Sequence, residues 1–333
     1  MEKEFMKSGP VLDQKGRPIP GYSTKSMITY NRKAIKALPW RIKEWDFYQI
    51  TDGEKCLQFT IGHASYAGQV GAMMFDFGKK KKIIEKNKFL VLPFHSLRMP
   101  SDTEKDHQLT YEHKDIMMQF KTSGNERILT CRWDDFDAHI VLTRKNPHSL
   151  VINVPFDESP YAFYYNHKIN CMTAKGTVQY KGEKYHFSEV DAFGLLDWGR
   201  GVWPFHNEWY WSNGTGYVGG EILGFNLGCG FGNTNIATEN ILFYRNAAHK
   251  LGKVIFELGT DYMDLWHIHD EEGRLDLTLS PVYDRTTMTK VLWVNNCCHQ
   301  IFGVFKGKAV LDDGTCLNID DLISFAEHAV NNW

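Results

Sequence analysis

The sequence lacks most of the features that would place it in a familiar function class. No window approaches the roughly 18 apolar residues that a membrane-spanning helix needs. The N-terminus, MEKEFMKSGPVLDQKGRPIPGYS, is charged where a secretory signal would be apolar. An excess of one charge is missing too. Lys plus Arg total 38 against 40 Asp plus Glu, a formal charge of −2, which gives no general drive toward nucleic acid or anionic lipid. The seven cysteines (56, 131, 171, 229, 297, 298, 316) are odd in number and include no CxxC pair, so reduced, mostly packed thiols are expected. The glycine-rich residues 224–232 have neither GxGxxG spacing nor a P-loop lysine after them, which sets nucleotide binding aside. These absences predict a soluble, cytoplasmic protein with no nucleic-acid partner and no membrane span.

Long amphipathic helical windows are nearly absent as well. After Trp40 the chain is a succession of short runs rich in Phe, Tyr, Trp, Val and Ile, such as CLQFTIG, DIMMQFKT, RILTCRW, HIVLTRK and GTVQYKG. Turn signals separate them: Asp52-Gly53, Gly78 with its lysines, Ser123-Gly124-Asn125, Lys181-Gly182, Asn213-Gly214 and Asp313-Gly314. Many short strands at such spacing predict antiparallel barrels or sandwiches, and 333 residues suffice for two of them. The all-β reading carries two exceptions. Asn31 caps a short helix, NRKAIKAL, that Pro39 stops. At the C-terminus, DDLISFAEHAVNN places Leu322, Ile323, Phe325, Ala326 and Val330 on one helical face. Asp157-Glu158-Ser159-Pro160 is the best seam, dividing residues 1–156 from residues 157–333.

Residues 191–240 carry the chemistry. Trp198, Trp203, Trp209 and Trp211 fall within fourteen residues, interleaved with Asp197, Arg200, His206, Glu208 and Tyr210. Charges amid so many rings are costly unless paired or used, so this stretch reads as a pocket floor. In a strand, Asp197 and Gly199 face one side and Trp198 and Arg200 the other; Gly199 and Gly201 suggest a bulge or a close backbone approach. An Asp against indole rings becomes a general acid, or else pairs with Arg200 as a structural unit. The same alternation puts His206, Glu208 and Tyr210 on one face, as a proton-transfer set or as a solvent face. Asn233 and Glu239 line the same mouth, whereas Asn235 reads as an exposed turn. His299 is either a hydrogen-bonded core residue or a catalytic one. His267-Ile268-His269 has a spacing metals use, but with no third ligand at a recognisable distance it reads as an exposed strand end. The lysines at 79–82 read as a solvated hairpin tip.

LDWGRGVWPFHNEWYW followed by GFNLGCGFGNTNIATEN closely resembles the bacterial family catalogued as domain of unknown function 2804. GYSTKSMITYNR, RIKEWDFYQI, YYNHKINCMTAKG and HQIFGVFKGKAVLDDG extend the resemblance over nearly the whole chain. More distantly, the layout is similar to the superfamily of carotenoid 1,2-hydratase, kievitone hydratase and the AttH-type proteins. That resemblance implies two lipocalin-like barrels side by side and cofactor-independent hydration or cyclisation of hydrophobic unsaturated substrates. The superfamily's motif commonly carries a His beside its acid; here Trp198 follows Asp197 directly.

The expectation is therefore two lipocalin-like barrels with a short C-terminal helix and residues 191–240 at their junction. The expected activity is a hydratase, dehydratase or isomerase with a small-molecule substrate and no metal. Asp197 is the acid, Glu208 or His206 handles water, and Trp198, Arg200, Trp203, Tyr210, Trp211, Asn233, Glu239 and His299 bind substrate. If Arg200 pairs with Asp197, Glu208 becomes the better acid. A carrier of apolar ligands and a carbohydrate enzyme using the Asp197/Glu208 pair are the alternatives.

Overall fold

The computed structural model describes residues 2–93, 96–291 and 294–332. Period-two burial dominates it. In the hairpin of Glu126–Trp133 with Phe136–Thr143 every second side chain is buried, the pattern that makes a strand bury one face of its sheet. Asp52-Gly53, Ser123-Gly124-Asn125, Lys181-Gly182 and Asp313-Gly314 each turn a hairpin, with Gly53 at φ 82° and Gly182 at φ 84°. Lys79, Lys80, Lys81 and Lys82 form an exposed hairpin tip, as their run predicts.

Two curled antiparallel sheets result. The first runs Lys81–Val91, Ala67–Asp76, Lys55–His63, Ile42–Thr51, Phe193–Val202, Phe163–Tyr180, Phe136–Thr143, Glu126–Trp133, Ile116–Ser123, His107–His113, with Leu150–Pro155 and Glu183–Phe187 also paired to Phe163–Tyr180. The second runs Ala247–Lys250, Ile241–Tyr244, Glu221–Cys229, His206–Val218, Cys316–Asn332, Val294–Val310, Leu275–Val291, Trp266–Asp270, Val254–Glu257. Each sheet wraps its own core. Ile50, Phe59, Phe120, Phe136 and Ile140 fill the first, and Phe225, Trp266, Ile268, Leu277 and Phe305 fill the second. This is a pair of lipocalin-like barrels. Two further apolar clusters span both barrels: one joins Cys56, Met73, Phe75 and Leu195 to Trp211, Phe302 and Phe325, the other joins Tyr164 and Val154 to Trp209 through Trp203 and Phe231 of the connecting segments. These clusters weld the barrels together. The N-terminal lead-in spans both, with Gly21–Ser23 pairing to Leu150–Pro155 and Glu2 bonded to Lys250 and Thr238.

Four expectations are corrected. The C-terminal segment is not a helix: Cys316–Asn332 is a strand held on one side by His206–Val218 and on the other by Val294–Val310. Ladders on both edges outweigh a helix preference of a few tenths of a kcal/mol per residue. Its spacing looked helical for two reasons. Both faces are buried over Ser324–Glu327, and Asp321, at φ 59°, interrupts the alternation. The chain passes from the first sheet to the second between Val202 and His206, not at Asp157-Glu158-Ser159-Pro160, because Phe163–Tyr180 and Phe193–Val202 complete the first sheet. Asn31 does cap, accepting from the Lys33 amide at 3.0 Å, but only a single 3₁₀ turn, Arg32–Ala34. Asn213-Gly214 lies inside His206–Val218, where a Cβ at Gly214 would sit 2.6 Å from the Phe225 ring. That glycine serves packing rather than a turn.

Candidate functional site

Strand alternation at the weld sorts the side chains. On Phe193–Val202, Trp198 faces into the first barrel while Asp197 faces the second; on Ile42–Thr51, Tyr48 faces inward while Trp45 and Phe47 face out. Phe163–Tyr180 sends Tyr165 inward and Tyr164, Asn166 and Lys168 outward. The second barrel answers with Trp209 and Trp211 from His206–Val218, Asn226 from Glu221–Cys229, Gln300 from Val294–Val310 and Glu327 from Cys316–Asn332.

These side chains enclose a buried charged cluster. The Lys168 ammonium lies 3.0 Å from Asp197 Oδ1 and 3.2 Å from Glu239 Oε2, and 4.2 Å from the centroid of the Trp211 ring. Trp45 Nε1 donates to Asp197 Oδ2 at 3.0 Å and Asn166 Nδ2 to its Oδ1 at 2.6 Å, so Asp197 is held as an acceptor by three donors. Trp209 Nε1 donates to Glu327 at 2.9 Å and Gln300 Nε2 at 3.2 Å. One ammonium cannot balance three carboxylates in a desolvated site. Burial and the repulsion of Asp197 outweigh the opposing field of Lys168 and leave Glu239 above its usual pKa. Burial pushes Glu327 up to about 7; the Trp209 hydrogen bond opposes the rise and the charge of Asp197 adds to it. Lys168 is held above its usual value because Asp197 and Glu239 outweigh its burial. Tyr164 is pushed well up by burial, then by Glu239, Asp197 and Glu327, which places its hydroxyl in the field of all three acids.

Rings wall the cluster. Phe231 meets Tyr164 at 4.7 Å, Trp209 at 5.0 Å and Trp203 at 5.5 Å, and Trp45 packs edge-on to Trp203 at 5.3 Å. Glycines make the room. A Cβ at Gly199 would lie 2.0 Å from the Trp45 ring, and one at Gly228 would lie 2.4 Å from Glu239 Oε1. The alternating glycines thus admit a ring and a carboxylate. A small cavity bounded by Tyr164, Cys229, Phe231 and Glu239 has room for about one water molecule. Burial beside Arg41 lowers Lys43, which lies over the Trp203 ring at 5.3 Å, to about 7.

The expected site residues separate into four places. Asp197, Trp203, Trp211 and Glu239 meet at the junction. Trp198 and Arg200 are enclosed in the first barrel, where Arg200 lies 3.8 Å from the Trp198 ring and 2.7 Å from Asp46, with Glu44 beyond. Arg200 therefore neither holds Asp197 nor competes with it. Burial would raise Glu44, but His63, Arg200 and Arg32 outweigh it and hold the carboxyl below its usual range. His206, Glu208, Tyr210 and His299 gather at the open end of the second barrel, on the far side of the sheet from Asp197. There His328 Nε2 bonds Glu208 at 2.8 Å and stacks on Tyr210 at 4.2 Å, His206 bonds Asn332, and His299 pairs with Asp284 at 2.7 Å. Asn233 binds Asp157 in a surface turn, and the exposed Asn235 belongs to the same turn. Sequence reasoning missed Lys168, Glu327, Tyr164 and Trp45, and it placed Trp209 in the stretch without giving it a role. YYNHKINC offered a signal, since the polar groups of Tyr164, Asn166 and Lys168 stand at period two along a stretch that is buried throughout. Glu327 was hidden by the helical reading of its segment.

Fold and site together define a double lipocalin-like barrel with an acid cluster between its barrels. The chain belongs to the family described as domain of unknown function 2804, whose pattern matches residues 2–333. No curated protein matches the sequence. Among solved structures, CghA with Sch210972 is similar at a TM-score of 0.55 and 11% identity, covering 98% of this chain and 97% of that one. A provisionally assigned AttH from Nitrosomonas europaea gives 0.53 at 12% identity, covering 86% and 92%. Kievitone hydratase from Nectria haematococca gives 0.53 at 9%, covering 87% and 88%. These likenesses establish the fold. All seven cysteines are free thiols, and among the described residues no helix is long and apolar enough to cross a membrane.

Proposed function

We propose that the protein is a cofactor-independent hydratase, dehydratase or isomerase of a hydrophobic unsaturated small molecule, working at the barrel junction. The observation that carries this reading is Glu327, a buried carboxyl brought to about 7, bonded to the Trp209 indole and near an ion-paired Lys168. A carboxylic acid near that value is half protonated at neutral pH and suited to general acid catalysis. The acid role expected of Asp197 passes to Glu327, because Asp197 faces only donors. Glu327 gives its proton to one carbon of a C=C bond, and the other carbon becomes cationic. Trp209 and Trp211 stabilise that cation by about 2 kcal/mol when desolvated. Water adds to the cation, and the proton it loses returns to the Glu327 carboxylate, which closes the cycle. The reverse order dehydrates, and loss of a different proton isomerises. The charge of Asp197 favours the protonated form of Glu327, and the Lys168 ammonium opposes it. The shared fold of kievitone hydratase supports the same reading. The carbohydrate alternative loses its footing, since Asp197, carried by the first sheet, and Glu208 stand on opposite sides of the second sheet.

The test is native mass spectrometry of the purified protein with solvent extraction of what it carries, followed by incubation of that compound with variants. Turnover by wild type and by Glu208→Gln, with loss in Glu327→Gln at retained binding, is expected. Binding without turnover by wild type would convert the reading to an apolar carrier. Equal turnover by Glu327→Gln would remove the acid assignment.

A further inference from the structure

The outer edge of the second barrel carries a side-chain cluster that the junction chemistry does not use. Val254–Glu257 is the end strand of its sheet and pairs antiparallel with Trp266–Asp270. His267 and His269 stand two apart on that partner strand and share its outer face, their rings 4.7 Å apart. Glu257 sits directly opposite His267 in the ladder. Its carboxylate lies 3.1 Å from His267 Nδ1 and 3.8 Å from His269 Nε2. One donor atom from each of the three residues falls within 4.8 Å of the others. On the next strand, Asp276 Oδ1 is 2.9 Å from His267 Nε2. An Nε2–H donated to Asp276 leaves the Nδ1 lone pair directed toward Glu257, the arrangement in which a second carboxylate orients a metal-binding imidazole.

We infer that Glu257, His267 and His269 form a binding site for a borderline divalent cation of the Zn²⁺ class, with Asp276 as the positioning residue for His267. The third ligand that the linear spacing lacked is supplied across the strand pair. Two imidazoles and one carboxylate suit Zn²⁺, and water fills the remaining position; Mg²⁺ and Ca²⁺ prefer all-oxygen shells. The ligands come from two strands, one of them the four-residue end strand, so a bound ion cross-links that edge to the sheet.

The experiment is calorimetric titration of ZnCl₂ into the full-length, chelator-treated protein, with MgCl₂ as the comparison. One saturable Zn²⁺ site and no Mg²⁺ site are expected. Asp276→Asn weakens Zn²⁺ binding about 10-fold, and His269→Ala or Glu257→Gln weakens it further. Added Zn²⁺ raises the Tm of wild type but not of His269→Ala. These positions are solvent-facing, and matching Tm values without metal verify that each variant folds. His269→Ala and Glu257→Gln both binding Zn²⁺ as wild type does would overturn the inference, as would the absence of any saturable Zn²⁺ site in wild type.

Discussion

The two faces of the sheet containing His206–Val218 and Cys316–Asn332 hold nearly the same functional groups in opposite conditions. On the junction face Trp209 bonds Glu327; on the barrel-mouth face Glu208 bonds His328. Trp209 follows Glu208 in sequence and His328 follows Glu327, so adjacent residues of each strand serve the two faces. Burial separates their chemistry. Glu327 is 8% exposed and carries a carboxyl moved to about 7, whereas Glu208 is an exposed member of a solvated pair. The composition of a motif therefore says less about its chemistry than which side of the sheet it faces.

The largest break in this comparison comes from Lys168→Met. It removes the ammonium bonded to both Asp197 and Glu239 and leaves buried carboxylates without it, so denaturant unfolding is expected to show a loss of about 3–5 kcal/mol. Second is Glu327→Gln, read as stability against pH. A carboxyl raised from 4.5 to about 7 by folding binds more protons folded than unfolded between those values. Stability therefore falls as pH rises through that window, by roughly 3 kcal/mol in all, and the penalty persists above it. The Gln variant loses that slope. Third, Trp209→Phe keeps a ring but removes the hydrogen bond that holds Glu327 down. The midpoint of Glu327 then moves up, and stability changes by about 1 kcal/mol. Glu208→Gln is the smallest, with an unfolding free energy within about 0.5 kcal/mol of wild type across pH 5–8.

The barrels were legible in the sequence because strand alternation and Gly-centred turns are local signals. Part of residues 191–240 was legible too: its aromatic density and glycines pointed to Asp197, Trp203, Trp211 and Glu239, which meet at the weld, while Trp198, Arg200, His206, Glu208 and Tyr210 lie elsewhere. Three features were not, and each depends on pairing distant in sequence. Cys316–Asn332 is a strand only because two others flank it. Arg200 finds Asp46 across a strand pair instead of the nearer Asp197. Lys168 and Glu327 meet the cluster from opposite barrels, so no spacing rule connects them. Glu257 completes a His pair by the same kind of cross-strand neighbourhood.

The most direct test is the side-chain carboxyl ¹³C titration of Glu327, with protein labelled at glutamate and the resonance assigned by its absence in Glu327→Gln. A junction that keeps an acid proton available predicts a midpoint near 7, set apart from the exposed glutamates. A midpoint in the ordinary carboxylate range, near 4.5, would mean that Glu327 is ionised at neutral pH and would contradict the acid assignment.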